Sequence, residues 1–293
     1  MSRWTIIAII AALLLIGGVC FAVWHLYRPQ PSPPIEVTVI SVRGDASWTR
    51  MGREEALKAG QRLLAKDMVR TSHGGRVVLR FEDGTRVTVE PETSLTVGQL
   101  DESLSKLRFD YGLLAADVVV NNQRKFMVEA MDGEASAQTS GAGFEIAGDR
   151  NVIVVAVTSG EVDLAGAGGN TVRIGPSQRA TVRRGQAPSQ PGRIPDSVFL
   201  EVRWPPTLLR ERRATVKGKT EPGARVRIDG TYTRVDSEGN FLMDMEFSPG
   251  INKVQVEARA PGGTKSHEIS PEIEVDNKPP RVEVDTEGLW ETQ

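Results

Sequence analysis

Residues 75–89 read Gly-Arg-Val-Val-Leu-Arg-Phe-Glu-Asp-Gly-Thr-Arg-Val-Thr-Val, and their period decides the fold class. Val77, Leu79 and Phe81 alternate with Arg76, Val78, Arg80 and Glu82. Asp83-Gly84 then supplies a tight turn, after which Val87 and Val89 alternate with Arg86, Thr88 and Glu90. A period of two on both sides of an Asp-Gly pair predicts a β-hairpin with one buried face. Outward from it the period persists: Val37, Val39 and Ser41 oppose Thr38 and Ile40. Further strands are expected over 126–130, 143–147, 152–158, 161–164, 171–174 and 179–182. Only 53–64 and 102–107 are expected to hold a helical turn or two. With 29 glycines for tight turns, the chain is predicted to be all-β.

Composition shifts at 183–197, where RRGQAPSQPGRIPDS is polar and rich in proline and glycine. This predicts a linker over 184–197 between a first domain at 35–183 and a second at 198–277. The second block offers strands over 214–219, 225–229, 232–235, 240–245, 253–258 and 272–275, a spacing that suggests a sandwich. Whether the first block closes as a sandwich or winds as a solenoid stays open. Residues 278–293 form a tail.

At the other end, residues 5–23 are apolar and free of charge. At about 1.5 Å per residue such a run spans roughly the 30 Å of a bilayer core. Trp4 lies at one end and Trp24 and Tyr27 at the other, where amphipathic rings favour the headgroup level. A cleavable signal needs small residues before the cut, and Cys20-Phe21-Ala22 lacks that pattern. Gly17-Gly18-Val19-Cys20 inverts a lipoprotein signal. Residues 1–28 are therefore read as a cytoplasmic stub and a single transmembrane signal anchor, and 29–34 (PQPSPP) as a stiff spacer. Cys20 is the only cysteine and lies within the anchor, so packing alone must hold the rest. A net charge of −2 gives no basic field for nucleic acid.

The first block carries an ordered series of motifs. Gly60, Leu63, Asp67, Val69 and Thr71 are followed by Gly75-Arg-Val77-Val-Leu79-Arg-Phe81-Glu-Asp83-Gly84-Thr85-Arg-Val87. Phe126-Met-Val128, Gly143-Phe144-Glu-Ile146, Val155-Ala-Val157-Thr-Ser-Gly160-Glu-Val162 and Gly175-Pro-Ser-Gln178 complete it. Over 37–182 this resembles the FecR domain, named after the periplasmic regulator of ferric-citrate uptake. Ala142 departs from the Gly-Thr that the family usually shows at that turn. The matching positions are turn and core residues, so the resemblance implies a module without an active site. In FecR itself a cytosolic tail contacts a sigma factor. Here only residues 1–4 precede the apolar run, so a signalling role would need a membrane partner. In the second block, Val216-Lys-Gly218-Lys-Thr220-Glu-Pro222-Gly223-Ala224-Arg-Val226-Arg-Ile228-Asp-Gly230 resembles bacterial Ig-like modules of the glucodextranase B-domain type. Such modules serve as spacers or as adhesive and carbohydrate-proximal domains.

His25, His73 and His267 are scattered, and no cysteine outside the anchor can bind zinc or act as a nucleophile. Glu54-Glu55 and Asp101-Glu102 are sequence neighbours that do not share a face. Asp236-Ser-Glu-Gly-Asn240 lacks calcium-loop spacing and reads as a turn. The basic cluster Arg210, Arg212, Arg213, Lys217 and Lys219 reads as a solvated face, with contact to anionic lipid headgroups or an acidic envelope polymer as the alternative. No catalytic residue, cofactor site or metal site is predicted. Trp48, Trp204 and Tyr232 are the candidate glycan or partner contacts. The expectation is a non-enzymatic, single-pass inner-membrane protein of a bacterial envelope, with its bulk in the periplasm. It would act as a sensing or protein-interaction scaffold, with inner-membrane lipid bound through residues 5–23 and an envelope protein as partner. Binding of peptidoglycan or another glycan is the alternative, and no nucleic-acid partner is expected.

Overall fold

A computed structural model describes residues 36–121 and 123–276. The anchor 5–23, the spacer 29–34 and the tail 278–293 lie outside the described residues. No helix among the described residues is long and apolar enough to cross a membrane.

The hairpin forms as its alternation dictates. Val77, Leu79, Val87 and Val89 are fully buried, while Arg76, Arg80 and Arg86 reach solvent. Asp83 closes the turn by accepting the Thr85 amide at 2.9 Å. The buried Thr85 hydroxyl in turn accepts the Val119 amide at 3.1 Å. With this pair, seventeen strands among the described residues lie in two layers that share one strand.

The first layer runs Arg62–Leu63, Val37–Arg43, Arg76–Arg80, Arg86–Val89, the second half of Leu104–Asp117, Ala142–Gly148, Val152–Gly160, Gln178–Arg183 and Gly192–Arg193. All its pairs are antiparallel. The second layer runs Arg53–Ala56, Ala46–Arg50, Met68–Thr71, Ser94–Leu100, the first half of Leu104–Asp117, Lys125–Ala130, Ala135–Thr139, Val162–Ala165 and Thr171–Ile174. Only Leu104–Asp117 with Lys125–Ala130 is parallel. Aliphatics of both layers share one core, so the first block is sandwich-like. Phe81, Phe126 and Phe144 cross that core edge to face, with ring centroids 5.4 and 6.4 Å apart.

The strand Leu104–Asp117 changes layers at Gly112. Tyr111 pairs with Ser94 in one layer and Gly112 with Gly148 in the other. The bend needs φ +110° there, and a Cβ would lie 2.3 Å from the Thr93 hydroxyl oxygen and 2.5 Å from its Cα. Only glycine meets both conditions.

Two expectations are corrected. The stretch 53–64 is not helical: Arg53–Ala56 folds back on Ala46–Arg50 through Met51 and Gly52, both at positive φ (51° and 80°). The methionine concealed a two-residue hairpin turn. The stretch 102–107 is likewise not helical. Asp101 accepts the amides of Ser103 and Leu104 at 2.9 and 2.8 Å, a cap that here launches a strand.

Strand Val152–Gly160 breaks the alternation. Residues 152–157 are buried without interruption. Ile153, Val155 and Val157 belong to the core between the layers, whereas Val154 and Ala156 face away from it and are buried nonetheless. Ala147 and Leu113 are also buried outside that core. The second block covers this outer surface: a Cβ on its Gly223 would touch Val154 at 2.8 Å. Full burial of a valine contributes about 1.5–3 kcal/mol.

The second block comprises three small sheets. One holds Leu200–Arg203, Arg213–Thr220 and Asn240–Glu246; another Leu208–Leu209, Ile273–Val275 and Gly250–Asn252; the third Thr231–Thr233, Arg225–Ile228, Gln255–Arg259 and Lys265–Ile269. Val216, Val226, Phe241, Val256 and Ile273 fill its core. Two ion pairs clamp it to the first block. Glu145 accepts Arg259 at 2.6 Å and the Gly262 amide at 2.9 Å. Glu221 accepts Arg179 at 2.6 Å and the Phe199 amide at 3.2 Å. The stretch 184–197 follows the first block closely, with the amides of Arg184, Ser189 and Ile194 donating to Asn151, Thr181 and Ser177 carbonyls.

Two outcomes follow. Gly112→Ala should cost about 2–4 kcal/mol in urea unfolding, from strained φ and the clash with Thr93. A double-mutant cycle of Glu145→Gln and Arg259→Met should give a coupling energy of about 1–2 kcal/mol, and additive losses would remove the clamp.

Candidate functional site

The covering of one block by the other leaves a cleft of about 410 Å³ at their junction. Tyr111 and the turn at Asp149 form its first-block wall; Arg225, Tyr232, Arg234 and Asp236 form the opposite one. A smaller cavity of about 230 Å³ adjoins it, and Arg225 and Tyr232 line both.

Local structure sets each side chain. Tyr111 is the last residue before the Gly112 bend, so the layer change delivers its ring to the cleft rim. Tyr232 lies in Thr231–Thr233, paired back on Arg225–Ile228 across a two-residue Asp229-Gly230 turn. Register places Tyr232 beside Arg227 and one residue from the position opposite Val226. Arg225 and Arg227 share one strand face, while Val226 and Ile228 point into the core.

The Arg225 guanidinium sits 4.7 Å from the Tyr232 ring centroid, and that of Arg234 lies 5.8 Å from Tyr111. Such stacking is worth about 0.5–2 kcal/mol, depending on exposure. Arg225 Nη1 donates to the Thr93 hydroxyl at 3.5 Å, a long bond to an oxygen that already accepts the Leu113 amide at 3.0 Å. Its Nη2 is buried and has no partner. Burial lowers the Arg225 pKa, and the attraction of Tyr232, Glu92 and Glu90 only partly offsets it. A guanidinium keeps its charge in proteins, so the site holds an under-solvated cation.

The predicted contacts are not brought together. Tyr232 lines the cleft. Trp48 is half-buried against the first core, with Arg50 4.7 Å over its ring and its indole nitrogen buried without a partner. Arg50 forks onto the buried Asp67 carboxylate at 2.8 and 2.6 Å, tying Trp48 into a structural clasp. Trp204 is half-buried against the second core. Sequence reading did not single out Arg225, Arg234 or Thr93. The alternation of Arg225 and Arg227 with Val226 and Ile228 was the available signal.

The remaining motifs are structural. Glu54 accepts the Ser47 hydroxyl at 2.6 Å across a hairpin. Asp236 accepts the amides of Glu238 and Asn240 at 2.9 and 2.8 Å, a side-chain-closed turn. His73 and His267 are exposed. Among the described residues no group of three or more His, Cys, Asp or Glu is placed to hold a metal ion.

No curated protein matches the chain. Two crystal structures of an anti-sigma factor candidate from Parabacteroides distasonis ATCC 8503 align at 17% and 16% identity with a TM-score of 0.38 each. Each alignment covers 43% of this chain and 59% of theirs. A polysaccharide lyase aligns at 10% identity and TM-score 0.21, over 83% of this chain and 40% of its own. The chain thus spans less than two thirds of each of these structures. The FecR protein family matches residues 67–163, so the middle of the first block is a FecR domain.

Proposed function

We propose that the chain is a non-enzymatic envelope protein whose FecR domain and Ig-like second block act as one sensing or protein-interaction module. Residues 5–23 would hold it in the inner membrane, with the described blocks on the periplasmic side. The FecR match over 67–163 carries this reading. The cleft between the two blocks offers such a module a place for a ligand, lined by Arg150, Arg225 and Arg234 beside Glu92, Asp110, Asp149 and Asp236. A module of this kind reports occupancy to a partner. That partner would meet the anchor within the membrane, where Gly17 and Gly18 would permit close helix approach.

A second reading is glycan binding, favoured by Tyr111 and Tyr232 on opposite walls of one cleft. Both readings require the same topology. Protease added to spheroplasts should degrade the segment 36–276 without lysis. Protection until the membrane is broken would place the module in the cytosol and end the envelope role.

A further inference from the structure

Register fixes the end of the first block at which the chain enters it. Thr38 lies opposite Arg80, Arg80 opposite Arg86, Arg86 opposite Asp117 and Asp117 opposite Gly143, one row across the first layer. Glu36 precedes this row, and Val119 and Val120 follow its Asp117, all on the side of the Asp83-Gly84 turn. Three strand spacings separate Thr38 from Asp117, about 15 Å. Gly112 and Gly148, which line the cleft, pair five residues further along the same strands, about 17 Å from that row. Chain entry and the two valines therefore share one end, and the cleft lies toward the other.

Val119 and Val120 are 45% and 77% exposed, the only sequence-adjacent pair of exposed large apolar side chains among the described residues. Single exposed valines are ordinary, but these two are held outward together. The Val119 amide donates to the Thr85 hydroxyl at 3.1 Å and the Asn121 amide to the Ser140 carbonyl at 2.8 Å. The flanking charges nearly cancel: Arg80, Arg86, Arg124 and Lys125 stand with Glu82, Asp83, Asp101, Glu102 and Asp117. An apolar tip on a near-neutral end suits a lipid interface and needs no anionic headgroup. Residues 29–35, which join the apolar run to this end, span at most about 25 Å when fully extended. So short a tether keeps this end at high effective concentration over a bilayer that holds residues 5–23.

We propose that this end of the first block rests on the bilayer surface, with Val119 and Val120 entering the headgroup layer and the cleft directed away from the membrane. The proposal rests on the reading of residues 5–23 as an anchor and deepens it.

The test uses the full chain carrying Cys20→Ser, reconstituted in phosphatidylcholine vesicles, with an environment-sensitive fluorophore on Val120→Cys or on His73→Cys. His73 is exposed and lies in the turn before Arg76, which pairs with Arg43 at the opposite end of the sheet. A nitroxide-headgroup lipid should quench the label at 120 about twofold or more, and the label at 73 little. Val119→Asp, at an exposed position, should return the emission at 120 toward that at 73. Added anionic lipid should change neither. In a chain that floats with vesicles through an alkaline wash, three results would each overturn the contact: equal quenching at the two positions, quenching untouched by Val119→Asp, or quenching that requires anionic lipid. A chain that the wash removes from the vesicles loses the anchor reading, and this contact with it.

Discussion

The structure depends on a strand that is apolar on both faces. Residues 152–157, Val-Ile-Val-Val-Ala-Val, place Ile153, Val155 and Val157 in the core between the two layers. Val154 and Ala156 are left facing outward on the same strand. An open antiparallel layer would expose them to water, and the second block instead seats Gly223 against Val154. From that contact the rest follows. The Glu145–Arg259 and Glu221–Arg179 pairs flank it, the Arg225 strand is brought against Thr93, and the uncovered margin becomes the cleft.

Most of the fold was legible in local pattern. The Asp83-Gly84 hairpin and the strands near 126–130, 143–147, 152–158 and 171–174 form close to where period-two alternation placed them. What escaped lacked that pattern for physical reasons. Met51-Gly52 makes a hairpin turn without the usual Asn or Asp. Leu104–Asp117 was missed because it changes layers at Gly112, which leaves Leu113 and Leu114 both buried and erases the alternation. Asp101 and Ser103 look like a helix start and cap a strand instead. The polar stretch 184–197 carried the composition of a linker, yet its amides bond along the first block.

The cleft was much less legible. Arg225 and Thr93 are 132 residues apart, and Tyr111 reaches the rim only because of a bend in another strand. No local motif announces a site assembled from such distant positions. Trp48 and Trp204, named as aromatic platforms with core or interface packing as the other reading, pack half-buried against the two separate cores. The more informative feature was charge on a strand face, where Arg225 and Arg227 alternate with core aliphatics.

The central claim is that the two β-blocks form one cooperative unit because the outer face of strand Val152–Gly160 is covered. Differential scanning calorimetry of wild type and Val154→Asp tests this most directly. Wild type should melt in one transition with equal calorimetric and van't Hoff enthalpies, and the variant should split into two, one for each block. Two independent transitions in wild type, or an unchanged single transition in the variant, would contradict the account.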